Sequence, residues 1–185
     1  MFKFKILISL LLIGSPVFAG PNQNFSAKTC LLTKSLPITD LVEKSGKIFV
    51  GNFLESNIIK QNGLVVRELH FKVVEPIKGV DSKNNTITIK EWARINSPFV
   101  NQVQKNQKYV FFFYENSARG LSSLVGFEQG LARVGKSNQL SFSKRVNVKI
   151  HNKSKLLLAS EDKNVQDSFE IKTVKDLKDL CNSNS

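Results

Sequence analysis

The chain has 185 residues, the size of one domain, and carries 27 Lys and Arg against 15 Asp and Glu, a formal net charge of +12. Two cysteines allow one intramolecular bridge, and two histidines without a metal-ligand partner at a useful spacing leave no zinc set of three or four ligands. There is no internal repeat and no low-complexity segment.

Lys3 and Lys5 form a basic start, Ile6 to Ile13 is apolar apart from Ser9, and Gly14-Ser15-Pro16 ends the run. Val17-Phe18-Ala19 then places small or modest residues at the −3 and −1 positions of a cleavage site. This is the pattern of a secretory signal peptide over residues 1–19. The alternative, a membrane anchor, needs ~20 apolar residues, and this run is far shorter. No cysteine follows it directly, so a lipid-modified N-terminus is not expected. The expected product is a single domain over 20–185, secreted or periplasmic, with no transmembrane segment after cleavage. Losing Lys3 and Lys5 lowers the formal charge to +10. A strongly basic exported protein meets anionic surfaces: phospholipid headgroups, acidic polysaccharide or acidic proteins. Nucleic acid is not an expected partner. Solubility alone is the bland reading of the same charge.

Residues 36–45 predict a short helix with Ser35 as N-cap, Pro37 in the first turn and Gly46 as the C′ residue. Ile38, Leu41 and Val42 share one face. From Lys47 the period becomes two, and Ile48 to Leu54 reads as a strand interrupted by Gly51. Asn62-Gly63 is a type I′ hairpin signal. The next strand runs from Leu64 to Glu75, with Val65, Leu69, Phe71 and Val73 on one face and Arg67 breaking that face. Pro76 is expected to end it. Thr86 to Trp92 is a third strand with Ile87 and Ile89 inward, and 93–107 is a long polar loop. Tyr109 to Tyr114 is the most apolar run after the signal, and the segment ending in Gly126 to Gly130 is read as the strand that follows it. Tyr109, Phe111 and Phe113 point to one side and Val110, Phe112 and Tyr114 to the other, which predicts a strand covered on both faces, one cover being a helix. Gln139 to Ile150 alternates as a further strand that Lys144 disturbs. At the end, Thr173 with Asp176 three residues on predicts a capped helix carrying Val174, Leu177, Leu180 and Cys181 inward.

The expected fold is mainly β: a small OB-like barrel of five or six strands with short N- and C-terminal helices. Cys30 and Cys181 stand near the two ends of the expected mature chain. In an oxidising compartment they read as one bridge closing a loop of about 150 residues, worth roughly 5 kcal/mol by loop entropy alone. Two free thiols and an intermolecular bridge are the alternatives.

Ser35-Leu-Pro-Ile-Thr-Asp-Leu-Val-Glu-Lys-Ser-Gly-Lys-Ile-Phe-Val-Gly51, Val73-Val-Glu-Pro-Ile-Lys-Gly79, Lys108-Tyr-Val-Phe-Phe-Phe113 and Val125-Gly-Phe-Glu-Gln-Gly130 resemble, in order and spacing, a family of exported bacterial domains that begin with a short helix leading into a strand. The layout is also similar to the OB-fold barrel of netrin-like domains and the tissue inhibitors of metalloproteinases. In those inhibitors the mature chain begins with a cysteine whose free amine chelates the protease zinc. Here the expected mature chain begins Gly20-Pro21 and Cys30 lies further in, so that residue does not carry over.

Few residues point to chemistry. No nucleophile elbow, triad-like motif or phosphate-binding glycine loop is present. Catalytic residues, a metal and cofactors are therefore not expected. Asn24, Asn84 and Asn152 open glycosylation sequons, which matter only in a eukaryotic secretory pathway. Gln129, between Glu128 and Gly130, is expected to hydrogen-bond a loop. The one site-like feature is a basic segment without acids between Glu128 and Glu161. Within it Lys144, Arg145 and Lys149 make either an anion-binding surface or a lysine-protected edge strand, and edge protection is the commoner device. The leading expectation is an exported, non-enzymatic binding or interaction module whose partner is a secreted or envelope protein or an anionic surface. A protease-inhibitor-like protein and a hydrolase using paired carboxylates are the alternatives.

Overall fold

The computed structural model describes residues 34–83, 85–95, 97, 99, 102–143, 145–150 and 169–183. The signal-like residues, Cys30, Lys144, His151 and the three sequon asparagines lie outside that set.

The chain enters through a two-residue strand, β1 (Leu36–Pro37), and turns directly into helix α1 (Ile38–Lys44). Pro37, extended at φ −61° and ψ 148°, is the N-cap. Ser35 is not the cap: its hydroxyl donates to the Arg145 carbonyl at 2.6 Å. Two fifteen-residue strands follow, β2 (Lys47–Gln61) and β3 (Leu64–Lys78), closed by the Asn62-Gly63 turn with both residues at positive φ, 50° and 75°. That is the type I′ geometry the pair predicts. Pro76 does not end β3. It faces Phe49 across a register shift, and β4 pairs with β3 only as far as Lys72. Among the described residues no strand pairs with that edge of β3 there, where a missing N–H is tolerated.

β4 (Thr86–Trp92) and β5 (Lys108–Phe113) come next. The segment Phe127–Gly130, expected as a strand, is a 3-10 turn entered through two left-handed residues, Gly126 and Phe127. The strand is its successor, β6 (Leu131–Val134). Residues 139–150 do not form one strand. They break into β7 (Leu140–Phe142), β8 (Val146–Asn147) and β9 (Lys149–Ile150). The break is a turn: Val146 N–H donates to the Ser143 carbonyl at 3.0 Å, and Arg145 N–H to the Ser143 hydroxyl at 3.3 Å. The chain then leaves the sheet so that β8 can run parallel to β1. β10 (Phe169–Glu170) pairs with β9, and helix α2 (Val174–Ser183) follows.

The protein is mainly β. Its main sheet has six antiparallel strands in the order β4-β3-β2-β5-β6-β7. β2, β3 and β4 are consecutive, and β5 returns beside β2, which is Greek-key order. Among the described residues β4 and β7 remain edges, so the sheet does not close into a barrel. It does curl: Ser122, in the loop after β5, donates its N–H to the Lys90 carbonyl on β4 at 2.7 Å.

Two cores lie on opposite faces of the sheet. On one, Phe49, Phe53, Phe71, Phe99, Tyr109, Phe111 and Phe113 pack together with Leu69 and Ile89. The ring pairs have centroids 4.8 to 6.2 Å apart, edge-to-face, tilted and stacked. On the other, Ile48, Val50, Val110 and Phe112 meet α1 and α2 through Ile38, Leu41, Val42, Val174, Leu177 and Leu180. The expected helical cover of β5 is therefore present, and α2, which holds Cys181, is part of it. Each core phenylalanine is worth about 3–5 kcal/mol against truncation to alanine.

Short polar ties set the helices. Lys78 donates to the Val42 carbonyl at 2.9 Å, a cation at the last turn of α1. Lys178 pairs with Glu75 and links α2 to β3. Gly79 sits at φ +62° with its α-carbon against the Gly46 carbonyl, where any Cβ would collide. Gly46 is not a left-handed cap. It is bare because the Glu115 α-carbon lies 2.6 Å from where its Cβ would stand.

The α2 cap is reciprocal: Thr173 N–H donates to Asp176 Oδ2 at 2.9 Å, and Asp176 N–H donates to Thr173 Oγ1 at 3.2 Å. Burial alone would push the Asp176 carboxyl up, but the N–H groups of Lys172 and Thr173 and the Thr173 hydroxyl hold it below the usual value. A carboxylate so lowered adds stability above its unfolded pKa, and that stability is lost as pH falls through the folded one. Asp176→Ala should therefore cost about 1 kcal/mol at neutral pH. In urea titrations the gap from wild type should close as pH falls below about 4.

Candidate functional site

Arg67, the charge that broke the apolar face of β3, is directly opposite Glu91 on β4. Its Nη1 donates to Glu91 Oε1 at 2.5 Å and its Nη2 to the Ala93 carbonyl at 3.1 Å. Both side chains are nearly buried, 11% and 3% exposed. The pair closes one end of the aromatic face, two residues along the ladder from Leu69 and Ile89. It is satisfied on both sides and does structural work.

Gln129 is fully buried. Its Oε1 accepts the Leu36 N–H at 2.9 Å, and its Nε2 donates to the Lys34 carbonyl at 3.2 Å. The expected loop contact is real, and its target is the entering chain. His70 Nδ1 lies 3.1 Å from Thr88 Oγ1 across β3 and β4 on the wet face. Among the described residues no group of three His, Cys, Asp or Glu lies close enough to hold a metal.

Cys181 is buried in the helix-side core, where burial pushes its thiol up to about 11 against the pull of Lys78. The expected bridge to Cys30 falls outside the described residues. Of the basic segment, Lys149 is exposed on β9, and Arg145 lies 3.6 Å from Glu128. Part of the Arg145 charge is thus met by an acid from the 3-10 turn. Lys144 is outside the described residues, so the three cations are not seen as one patch.

Two surface features were not foreseen. The first is the far half of the β2–β3 hairpin. β5 pairs with β2 only from Lys47 to Asn52, and the rest of β2 has β3 as its one neighbour among the described residues. Leu54, Glu55, Ser56, Asn57 and Ile58 are all exposed in succession, Ile58 at 59%. A strand with one covered face alternates; five exposed residues in a row mean that both faces are in solvent. A bulge between Phe53 and Glu55 marks where the covered part ends. The second is a cleft of about 540 Å³ between the hairpin tip, at Gln61, Asn62 and Leu64, and the loop after β5, at Ala118, Arg119 and Leu121. The exposed strand and the cleft adjoin at Gln61. Alternation gave the strand only as far as Leu54; β2 runs on to Gln61 because β3 pairs with it along its whole length, and how far β5 accompanies it is a long-range fact absent from local pattern.

Among the described residues no helix is long and apolar enough to cross a membrane. No protein-family model matches the chain, and a search of curated proteins finds no match.

A buried ion pair is costly to halve and cheap to replace whole. Arg67→Met should destabilise by about 3–5 kcal/mol in urea unfolding, and adding Glu91→Leu should recover most of that loss.

Proposed function

We propose that this chain is an exported, non-enzymatic interaction module built on an OB-like barrel, and that it binds an extended segment of a secreted or envelope protein along the free edge of β2. The observation that carries the reading is the run Leu54–Ile58, exposed on both faces, with no strand on its outer side among the described residues. Such an edge presents backbone N–H and C=O groups that a partner strand completes, with main-chain bonds giving affinity and side-chain pockets giving selectivity. Edges of this kind are commonly blunted by proline or by several lysines. Glu55 to Gln61 has no proline and one lysine, Lys60. The adjoining cleft offers Leu64, Leu121 and Arg119 to side chains of the added strand.

The barrel part of the reading rests on strand order. OB-like barrels are partly open Greek-key barrels of five strands. β2 to β6 follow Greek-key order, and the Ser122–Lys90 bond brings the loop after β5 onto the outer edge of β4, the gap that closure has to bridge.

Ile58→Lys should leave the fold intact, because Ile58 is exposed, and should block strand addition. With wild type and variant as baits in parallel pull-downs from the native envelope, a partner should come down with wild type alone. Adding that partner should also slow amide exchange across Glu55–Gln61. Equal recovery by both baits, or unchanged exchange, would contradict the reading.

A further inference from the structure

We infer that the polar hollow at the β6–β7 end of the sheet is a binding site for a small hydroxylated carboxylate, the chemistry of a uronic acid residue. The floor follows from register. Tyr109 pairs with Arg133, and Arg133 with Ser141, so the three stand side by side on one face across β5, β6 and β7. This is the face that carries Phe111 and Phe113 into the aromatic core. Beyond Leu131 no further phenylalanine of β5 falls on this face, and a hollow of about 280 Å³ opens there, with Leu131 and Phe142 lining it beside the polar groups. Gln104, from the segment before β5, and Glu128, from the 3-10 turn, form its rim, with Ser143 beside Ser141.

Its hydrogen-bonding groups are held in place from behind. Arg133 Nη2 donates to Gln107 Oε1 at 3.1 Å. Gln107 is itself fixed through its Nε2, which donates to the carbonyls of Val134 at 2.9 Å and Lys108 at 3.1 Å. A guanidinium has five N–H donors in a flat fork, and the Gln107 bond takes one. The Tyr109 hydroxyl accepts the Gln104 N–H at 3.2 Å, which leaves its own hydrogen to donate. The Ser143 hydroxyl likewise accepts the Arg145 N–H at 3.3 Å and keeps its hydrogen. The wall is therefore rich in donors around one fixed guanidinium, and carboxylate is the flat acceptor that matches an arginine fork.

Glu128 decides between anions. It pairs with Arg145 at 3.6 Å, so the hollow keeps the net positive charge of Arg133. Its oxygens still accept hydrogen bonds. A phosphate dianion brings two charges and few donors towards that carboxylate. A sugar acid brings one charge for Arg133 and hydroxyl donors for Glu128. The hollow is open, which lets a chain continue beyond the bound ring.

The test is a titration of the full chain with glucuronate, followed through the backbone amide signals of Arg133 and Ser141. Glucose, inorganic phosphate, an acidic hexapeptide and a short oligouronate are the comparators. Saturable shifts with glucuronate and not with glucose are expected, with affinity falling at least about tenfold in Arg133→Gln. Arg133 is exposed, and an unchanged thermal midpoint checks the variant's fold. Should Arg133→Gln not fold, Arg133→Lys keeps the charge and loses the fork, and the same fall in affinity is expected. Tighter binding of the oligouronate identifies a polymer as the source, and equal binding per ring identifies the free sugar acid. Absence of saturable binding, an affinity unchanged by the substitution, or a preference for phosphate or peptide overturns the inference.

Discussion

The shared wall formed by β5 is the constraint on which the other elements depend. Tyr109 to Phe113 are five consecutive buried residues. Alternation sends Tyr109, Phe111 and Phe113 into the aromatic core, and Val110 and Phe112 into the aliphatic core under the two helices. β2 repeats the arrangement beside it, with Phe49 on one face and Ile48 and Val50 on the other. Neither core can be loosened without exposing one face of this strand pair. Helices, loops and short strands are then arranged to keep water from both faces.

One end of this wall is fixed by a junction in which the backbone is crowded. Gly46 N–H donates to the Phe113 carbonyl, and Val125 N–H to the Phe112 carbonyl, each at 2.9 Å. Gly79 lies against Gly46, and Gly126 against Leu36. Gln129 holds Lys34 and Leu36 through its amide. Residues from the segments 35–51, 73–79, 108–113 and 125–130 thus meet in one place. Gly46, Gly79, Gly126 and Gln129 are accounted for by close approach and backbone hydrogen bonding.

Much of this was legible locally. Period-two alternation located β3, β4, β5 and the first half of β2, Asn62-Gly63 announced its turn, and Thr173 with Asp176 announced the capped helix. The two-sided apolar pattern of Tyr109 to Tyr114 predicted a strand between two covers. The misses share a physical cause, which is pairing between residues far apart in sequence. Arg67 looked like an error in a face until Glu91 appeared opposite it. Residues 139–150 alternate except at Lys144, and the chain turns after Ser143, where β1 offers a parallel partner to Val146 and Asn147. The segment that ends in Gly126 to Gly130 is glycine-punctuated like a strand, but Gln129 is needed inside to hold residues 93 and 95 positions away. Phe99 stands in a polar stretch and is buried all the same, because the aromatic core over β2 to β5 has room for its ring. The surface features escaped for the same reason: the free edge of β2 exists because β5 stops at Asn52, and the polar hollow exists because Arg133 and Ser141 fall in register with Tyr109.

The main sheet thus divides into a wall that is buried on both faces and an arm that overhangs it. Native-state hydrogen exchange tests that division most directly. The amides of Val110 to Phe112 should exchange only through global unfolding, and those of Glu55 to Gln61 that point away from β3 should exchange by local opening at far lower cost. Protection across Glu55 to Gln61 equal to that of β5, or local opening of β5 itself, would contradict it.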